Sequence, residues 1–136
     1  MKLVVDTNII FKAIIKRSKV RAILLNPNHQ FYLPEYTLEE VEKHLSLIRD
    51  KSGLSEKEVK HALSILLANM QVVPSKDILK KWDEAERIIG KIDTGDIPFI
   101  ALALVIECDG IWSDDKDLKR QAKVKVWSTR EMIQGI

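Results

Sequence analysis

The chain has 136 residues, of which 46% are apolar and 31% charged, a length and balance that suit one globular domain and exclude a disordered chain. Its 22 Lys and Arg face 20 Asp and Glu, a formal charge of +2, so a nucleic-acid partner would require the two signs to be segregated on the surface. Cys108 is the only cysteine, which excludes an intrachain disulfide and a cysteine-rich zinc site.

Taken in chain order, Leu3–Val5 is a short β-branched run that predicts a buried strand, and it stops at Asp6, too early for a signal-peptide core. A helical region follows from Ile9 to about Leu25, with a break expected near Ser18. Its residues Ile9, Ile10, Phe11, Ile14 and Ile15 are more apolar than one helix face needs, which suggests contact with a second subunit and a homodimer. Asn26-Pro27-Asn28 marks a turn, and Gln30–Leu33 reads as a second strand ended by Pro34. Thr37-Leu38-Glu39-Glu40 has capping-box spacing and predicts the start of a helix through Val41, Leu45 and Ile48. Ser55–Glu58 repeats that signal for a helix through Val59, Leu63, Leu66 and Leu67.

Val72-Val73 predicts a third strand before Pro74, and a helix over about Asp77–Ile89 should end at Gly90 as the C′ residue. Phe99–Glu107 is apolar almost all round, the pattern of a buried helix. The longest apolar stretch, Ile97–Ile106, is far shorter than the roughly 20 residues of a membrane span, so a cytoplasmic protein is expected. After the Asp109-Gly110 turn come strands at Ile111–Ser113 and Val124–Val126, then a third capping box, Ser128–Glu131, opening a last short helix. Strands alternating with helices predict a three-layer α/β/α sandwich around a mainly parallel sheet of about five short strands, with right-handed crossovers, as a single domain over residues 1–136.

The acids fall at telling places. Asp6 follows the first strand, Asp114, Asp115 and Asp117 follow the fourth, Asp96 precedes the buried helix, and Glu40 lies in the first turn of its own. In an open parallel sheet, ligands bind beyond the carboxyl ends of the strands, at the point where strand order reverses. Converging carboxylates repel one another unless a cation neutralises them, and a hard, oxygen-preferring ion such as Mg²⁺ or Mn²⁺ is the natural occupant. One or two such ions serve phosphodiester hydrolysis. No Walker loop, GxGxxG, GxSxG or HExxH offers competing chemistry. Each acid also has a local reading: Asp6 as a helix cap, Asp96 as a complement to a helix dipole, Glu40 as the third residue of a capping box.

Val4-Val5-Asp6-Thr7-Asn8, then Glu39-Glu40, then Asp96 leading into Ile100-Ala101-Leu102-Ala103, then Ile111 through Leu118 stand in the order and separation of the PIN-domain nucleases. Over nearly its whole length the chain resembles that family, especially the single-domain VapC-type toxins of prokaryotic toxin–antitoxin pairs. The resemblance implies a Mg²⁺- or Mn²⁺-dependent endoribonuclease. Carried over by position, it implies Asp6, Glu40, Asp96 and Asp115 as the catalytic acids, with Asp6, Asp96 and Asp115 on the metal. Glu40 is preferred over Glu39 and Glu42 on this ground. Thr7, Asn8 and Ser113, where the family usually has Thr, would support them, and Asp93, Asp114 and Asp117 are further acids near the metal. Which of Asp114, Asp115 and Asp117 faces the ion stays open, with Asp115 the first choice. The family also implies a homodimer inhibited by a small antitoxin.

Two basic clusters flank the acids: Lys12, Lys16, Arg17, Lys19 and Arg21 follow Asp6, and Lys116, Lys119, Arg120, Lys123 and Lys125 follow Asp115. Both suit RNA phosphates, and both also read as solvated helix faces. Trp82, Trp112 and Trp127 read as packing residues, and His29, His44 and His61 as surface residues. Alternatives are a stand-alone RNA-processing nuclease and, in a different class, a receiver-like or non-catalytic metal-binding module. The receiver reading requires an Asp ending a middle strand, where Leu33-Pro34 and Val73-Pro74 stand instead.

Overall fold

Alternation along four short strands decides the architecture, because successive side chains of a strand point to opposite faces. In the computed structural model, which describes residues 1–16 and 18–135, the strands are β1 (Lys2–Val5), β2 (Gln30–Pro34), β3 (Met70–Val73), β4 (Gly110–Trp112) and β5 (Val126–Trp127). Leu3, Val5, Phe31, Leu33, Met70 and Trp112 enter one core, while Val4 and Ile111 enter the other. The first core is covered by α1 (Thr7–Ile15), α2 (Lys19–Leu24), α3 (Glu35–Lys43), α4 (Leu45–Ser52), α5 (Glu56–Leu67) and α9 (Thr129–Ile133). The second is covered by α6 (Ser75–Ile78), α7 (Trp82–Ile89) and α8 (Ile97–Ile106). The result is the expected sandwich of helices, sheet and helices.

Every strand pair is parallel, and the order is β3-β2-β1-β4-β5. All strand C-ends therefore lie along one edge. The chain winds outward from β1 through β2 and β3, then returns to place β4 on the other side of β1, with Val5 opposite Trp112. The reversal of order falls between β1 and β4, and Asp6 and Ser113 are the first residues past their ends. Residues Ile97 through Ala103 of α8 are buried on all sides, which accounts for a helix without a polar face. Among the described residues, no helix is long and apolar enough to cross a membrane.

Several local expectations are corrected. Thr37 is no helix cap: α3 starts two residues earlier, after Pro34, whose extended backbone opens it, and Thr37 is fully buried. Glu40 consequently lies in the second turn of α3, not the first. The predicted helix over 77–89 is divided into α6, a 3-10 turn at Leu79–Lys81, and α7. Gly90 ends α7 with φ −59°, right-handed rather than the left-handed C′ conformation. The last strand is displaced to Val126–Trp127, because Gln121 folds the preceding segment into a loop. Of the surplus apolar residues, Ile9, Ile10 and Ile14 are buried within the chain itself, while Phe11 and Ile15 are half-buried. The break expected near Ser18 is present, with Ser18 preceding α2.

Gly110 opens β4 with φ +142°, and a Cβ there would lie 2.4 Å from the backbone oxygen of Lys125. Both strain and collision fall on backbone that cannot yield without opening the β4–β5 pair. Gly110→Ala is expected to cost about 1–3 kcal/mol, read as a lower denaturant midpoint; an unchanged midpoint would contradict this packing.

Candidate active site

The fold brings the acids of four separate segments to one cavity of about 710 Å³, whose lining includes Asp6, Glu40, Asp93, Asp96, Asp114 and Asp115. One carboxylate oxygen from each of Asp93, Asp96, Asp115 and Asp117 lies within 4.8 Å of the others. Asp96 closes a 3-10 turn at Thr94–Asp96 and starts α8, with Pro98 in the first helical turn, where a missing amide is tolerated. Asp96 is 6% exposed, and its Oδ2 is buried without a hydrogen-bond partner. Burial, followed by the charges of Asp115, Asp93 and Asp6, pushes its carboxyl up to about 8.

Asp6 borders this group from β1 and is 4% exposed. The fully buried Ser113 hydroxyl donates to Asp6 Oδ2 at 2.6 Å and accepts from the Asp115 amide at 3.0 Å, so one serine fixes an acid from each central strand end. Burial outweighs that hydrogen bond and, with the Asp115 charge adding, holds the Asp6 pKa above the ordinary carboxylate range. Asp6 stands at the N-cap position of α1, where the Asn8 and Thr7 amides act to lower its pKa, but its short side-chain hydrogen bond is the one from Ser113. Asp115 Oδ1 accepts from the Asp117 amide at 2.9 Å, which turns the loop and returns Asp117 to the cluster.

Asp114 also lines the cavity, but its carboxylate is committed to other partners. It accepts from the backbone amide of Thr129 at 2.7 Å, from the Thr129 hydroxyl at 2.6 Å and from Lys12 Nζ at 2.8 Å. Partial burial works to raise its pKa, yet the Lys12 and Thr129 hydrogen bonds hold the carboxyl below its usual range. Thr129 Oγ1 also accepts from the indole of buried Trp112 at 3.0 Å. This clamp ties α1, the loop after β4 and the start of α9 together beside Asp115. Thr129→Val leaves the Trp112 N–H and Asp114 short of a partner and is expected to cost about 1–3 kcal/mol. Thr129→Ser should recover most of the loss, and equal stability of Val and Ser in thermal melts would contradict the clamp.

The wall opposite is α3. Tyr36 packs edge-on against Phe99, and burial, then its hydrogen bond to Glu40 and the charges of Glu40, Asp93 and Asp96, pushes its hydroxyl up to about 12. Glu40 lies one turn on, and His44 Nδ1 lies 2.9 Å from the Glu40 carbonyl oxygen and 3.5 Å from its carboxylate. Thr7 is not turned to Asp6: its hydroxyl shares a 3.1 Å hydrogen bond with Thr37, joining α1 to α3. Asn8 lines the cavity.

The structure thus places Asp6, Glu40, Asp96 and Asp115 around one cavity and gives Asp93 and Asp117, read as supporting, a full place in the tightest cluster. Sequence reading missed Tyr36 and His44 as cavity residues. Their spacing to Glu40, one turn on either side, was the available signal. Of the basic residues, Lys12 is engaged by Asp114, Arg21 by the carbonyls of Ala13 and Ile14, and Arg17 lies outside the described residues. An all-oxygen donor set with an unpartnered buried oxygen fits a hard divalent cation.

A family model of the PIN domain matches residues 4–135. Comparison with curated protein sequences finds no match. Among solved structures, the crystal structure of VapBC2 from Rickettsia felis bound to a DNA fragment from their promoter matches with TM-score 0.71 over 94% of this chain and 98% of that chain. At 15% identity that likeness is one of fold. Four-strand alternation, the strand order, the acids at the strand ends and the family match over residues 4–135 agree: the chain belongs to the PIN-domain family, whose members are in general nucleases that bind divalent metal ions.

Proposed function

We propose that this protein is a Mg²⁺- or Mn²⁺-dependent endoribonuclease, the toxin of a VapBC-type pair. The observation that carries the reading is the buried Asp96, whose Oδ2 has no hydrogen-bond partner and whose carboxylate lies among three others, an arrangement that is unfavourable without a bound cation. Asp6, Asp96 and Asp115 would hold the ion, with Asp93 and Asp117 completing the donor set. When bound, a divalent ion supplies polarisation of a phosphoryl group and activation of water. Ser113 orients Asp6 and the Asp115 loop by one hydroxyl. Glu40, set across the cavity beside Tyr36, would orient the attacking water or help hold a second ion.

An RNA pool incubated with the purified protein should be cut in Mg²⁺ or Mn²⁺ and left intact in EDTA. Mapped cut ends would show internal cleavage. Intact RNA under both conditions, with the protein folded, would overturn the reading. The toxin role carries two further expectations, a small antitoxin that copurifies on co-expression and blocks cleavage, and a homodimer in light scattering. The first separates a toxin from a stand-alone RNA-processing nuclease.

A further inference from the structure

We infer that a second, cationic concavity, separate from the acid cavity, binds RNA backbone away from the scissile phosphate; this rests on the proposed ribonuclease reading. It has a volume of about 550 Å³ and lies between α7 and the loop after β4, with Arg87, Arg120 and Lys123 around it and Glu84 as its one acid. The charge is concentrated: residues 116–125 carry five cations and one carboxylate in a chain whose overall charge is only +2.

The loop that presents them is rigid by construction. The Gln121 side chain donates to the carbonyls of Leu118 and Val124 at 2.9 and 2.8 Å and accepts from the amides of Lys123 and Val124 at 2.9 Å each. Saturating one amide on four backbone groups ties the loop into a small closed unit, with Leu118 fully buried beneath it. Lys119, Arg120 and Lys123 are exposed on that unit. Such preorganisation lowers the ordering cost of binding a polyanion.

The two basic clusters differ in what their cations already do. Lys12 and Arg21 of the first cluster are held by Asp114 and by backbone carbonyls. In the second, Lys119 and Lys123 make no ion pair among the described residues, and Arg120 has only a 3.8 Å contact with Asp117. Arg120 is five residues after Asp115, so it lies within about 18 Å of it even for a fully extended chain, and Arg87 is six residues before Asp93. Each wall is joined to the acid cluster by a short stretch of chain, and at its other end the concavity continues, through Glu84 and Lys123, toward the start of β4. A single strand held there by its phosphates would reach the acid cavity along the loop of residues 115–120.

The test is binding of poly(U) by the full chain in EDTA, where chain breakage does not intervene, over a series of salt concentrations. The triple variant Arg87→Gln, Arg120→Gln and Lys123→Gln should bind about tenfold more weakly at low salt, with the slope of log affinity against log salt reduced by about 2, near 0.7 for each lost phosphate contact. A control with the same charge change on the other layer, Lys43→Gln, Lys57→Gln and Lys60→Gln, should bind like the native chain. Native affinity and slope in the first triple variant, or equal losses in both, would overturn the proposal. RNA left uncut in Mg²⁺ while this difference persists would instead overturn the nuclease reading alone.

Discussion

Asp96→Asn is expected to abolish metal-dependent RNA cleavage, on the order of 10³-fold or more, while making the ion-free protein more stable. The two effects have one cause. Asp96 is 6% exposed, has an oxygen without a partner, and faces Asp93, Asp115 and Asp6, so its ionised form is held against burial and like charge. Asparagine keeps the shape, removes the charge and adds an N–H₂ that can donate to neighbouring carboxylates. At a pH above 8, where the native carboxyl ionises, the variant should melt higher by about 3–5 °C, corresponding to ~1 kcal/mol. Lower stability of the variant without divalent ion would show that Asp96 is not under this strain, and retained cleavage would remove it from the site. Asp6→Asn should lose cleavage similarly, and its circular dichroism should show an intact fold.

Ion-free stability should fall as pH rises, and Mg²⁺ should reverse the trend. Asp96 and Asp6 bind protons more tightly in the folded chain than in the unfolded one. Their contribution to stability is complete below the ordinary carboxylate range and is lost as pH rises through about 8 for Asp96. Asp114 runs the other way: its lowered pKa contributes stability above the ordinary carboxylate range that is lost as pH falls. Without divalent ion, the melting temperature should therefore be highest in mildly acidic solution and decline toward pH 8. An ion that binds only the folded, deprotonated cluster stabilises most at high pH, by about 2.7 kcal/mol at a hundredfold excess over its dissociation constant. Parallel melting curves with and without Mg²⁺ across this range would contradict the assignment.

Much of this was legible along the chain because the signals were local. A short apolar run, Leu3-Val4-Val5, stopping at an acid located Asp6, and an apolar run with no polar face located α8 and so Asp96. The failures came where one short pattern serves two structures. Thr37 and Glu40 have capping-box spacing, yet the same spacing inside a helix places a buried hydroxyl on one turn and a cavity acid on the next; Pro34-Glu35 was the truer start signal. Most of the apolar excess of α1 goes into the core, because α1 packs beneath α2, α4 and α5 at once, which the sequence does not show. The grouping of Asp93 and Asp117 with Asp96 and Asp115 depends on two turns, one at Gly95 and one at Asp117, each closed by a carboxylate accepting an amide two residues on. The clamp of Asp114 on Thr129 joins residues 15 apart through a loop and a strand, beyond any local motif.

Titration of the ion-free protein with Mn²⁺, followed by the loss of the free-ion electron paramagnetic resonance signal, addresses the metal centre most directly. Saturable removal of the signal by the native chain, sharply weakened in Asp96→Asn and in Asp115→Asn and unchanged in Glu39→Gln, is the predicted result. Undiminished binding in both aspartate variants, or none in the native chain, would contradict it.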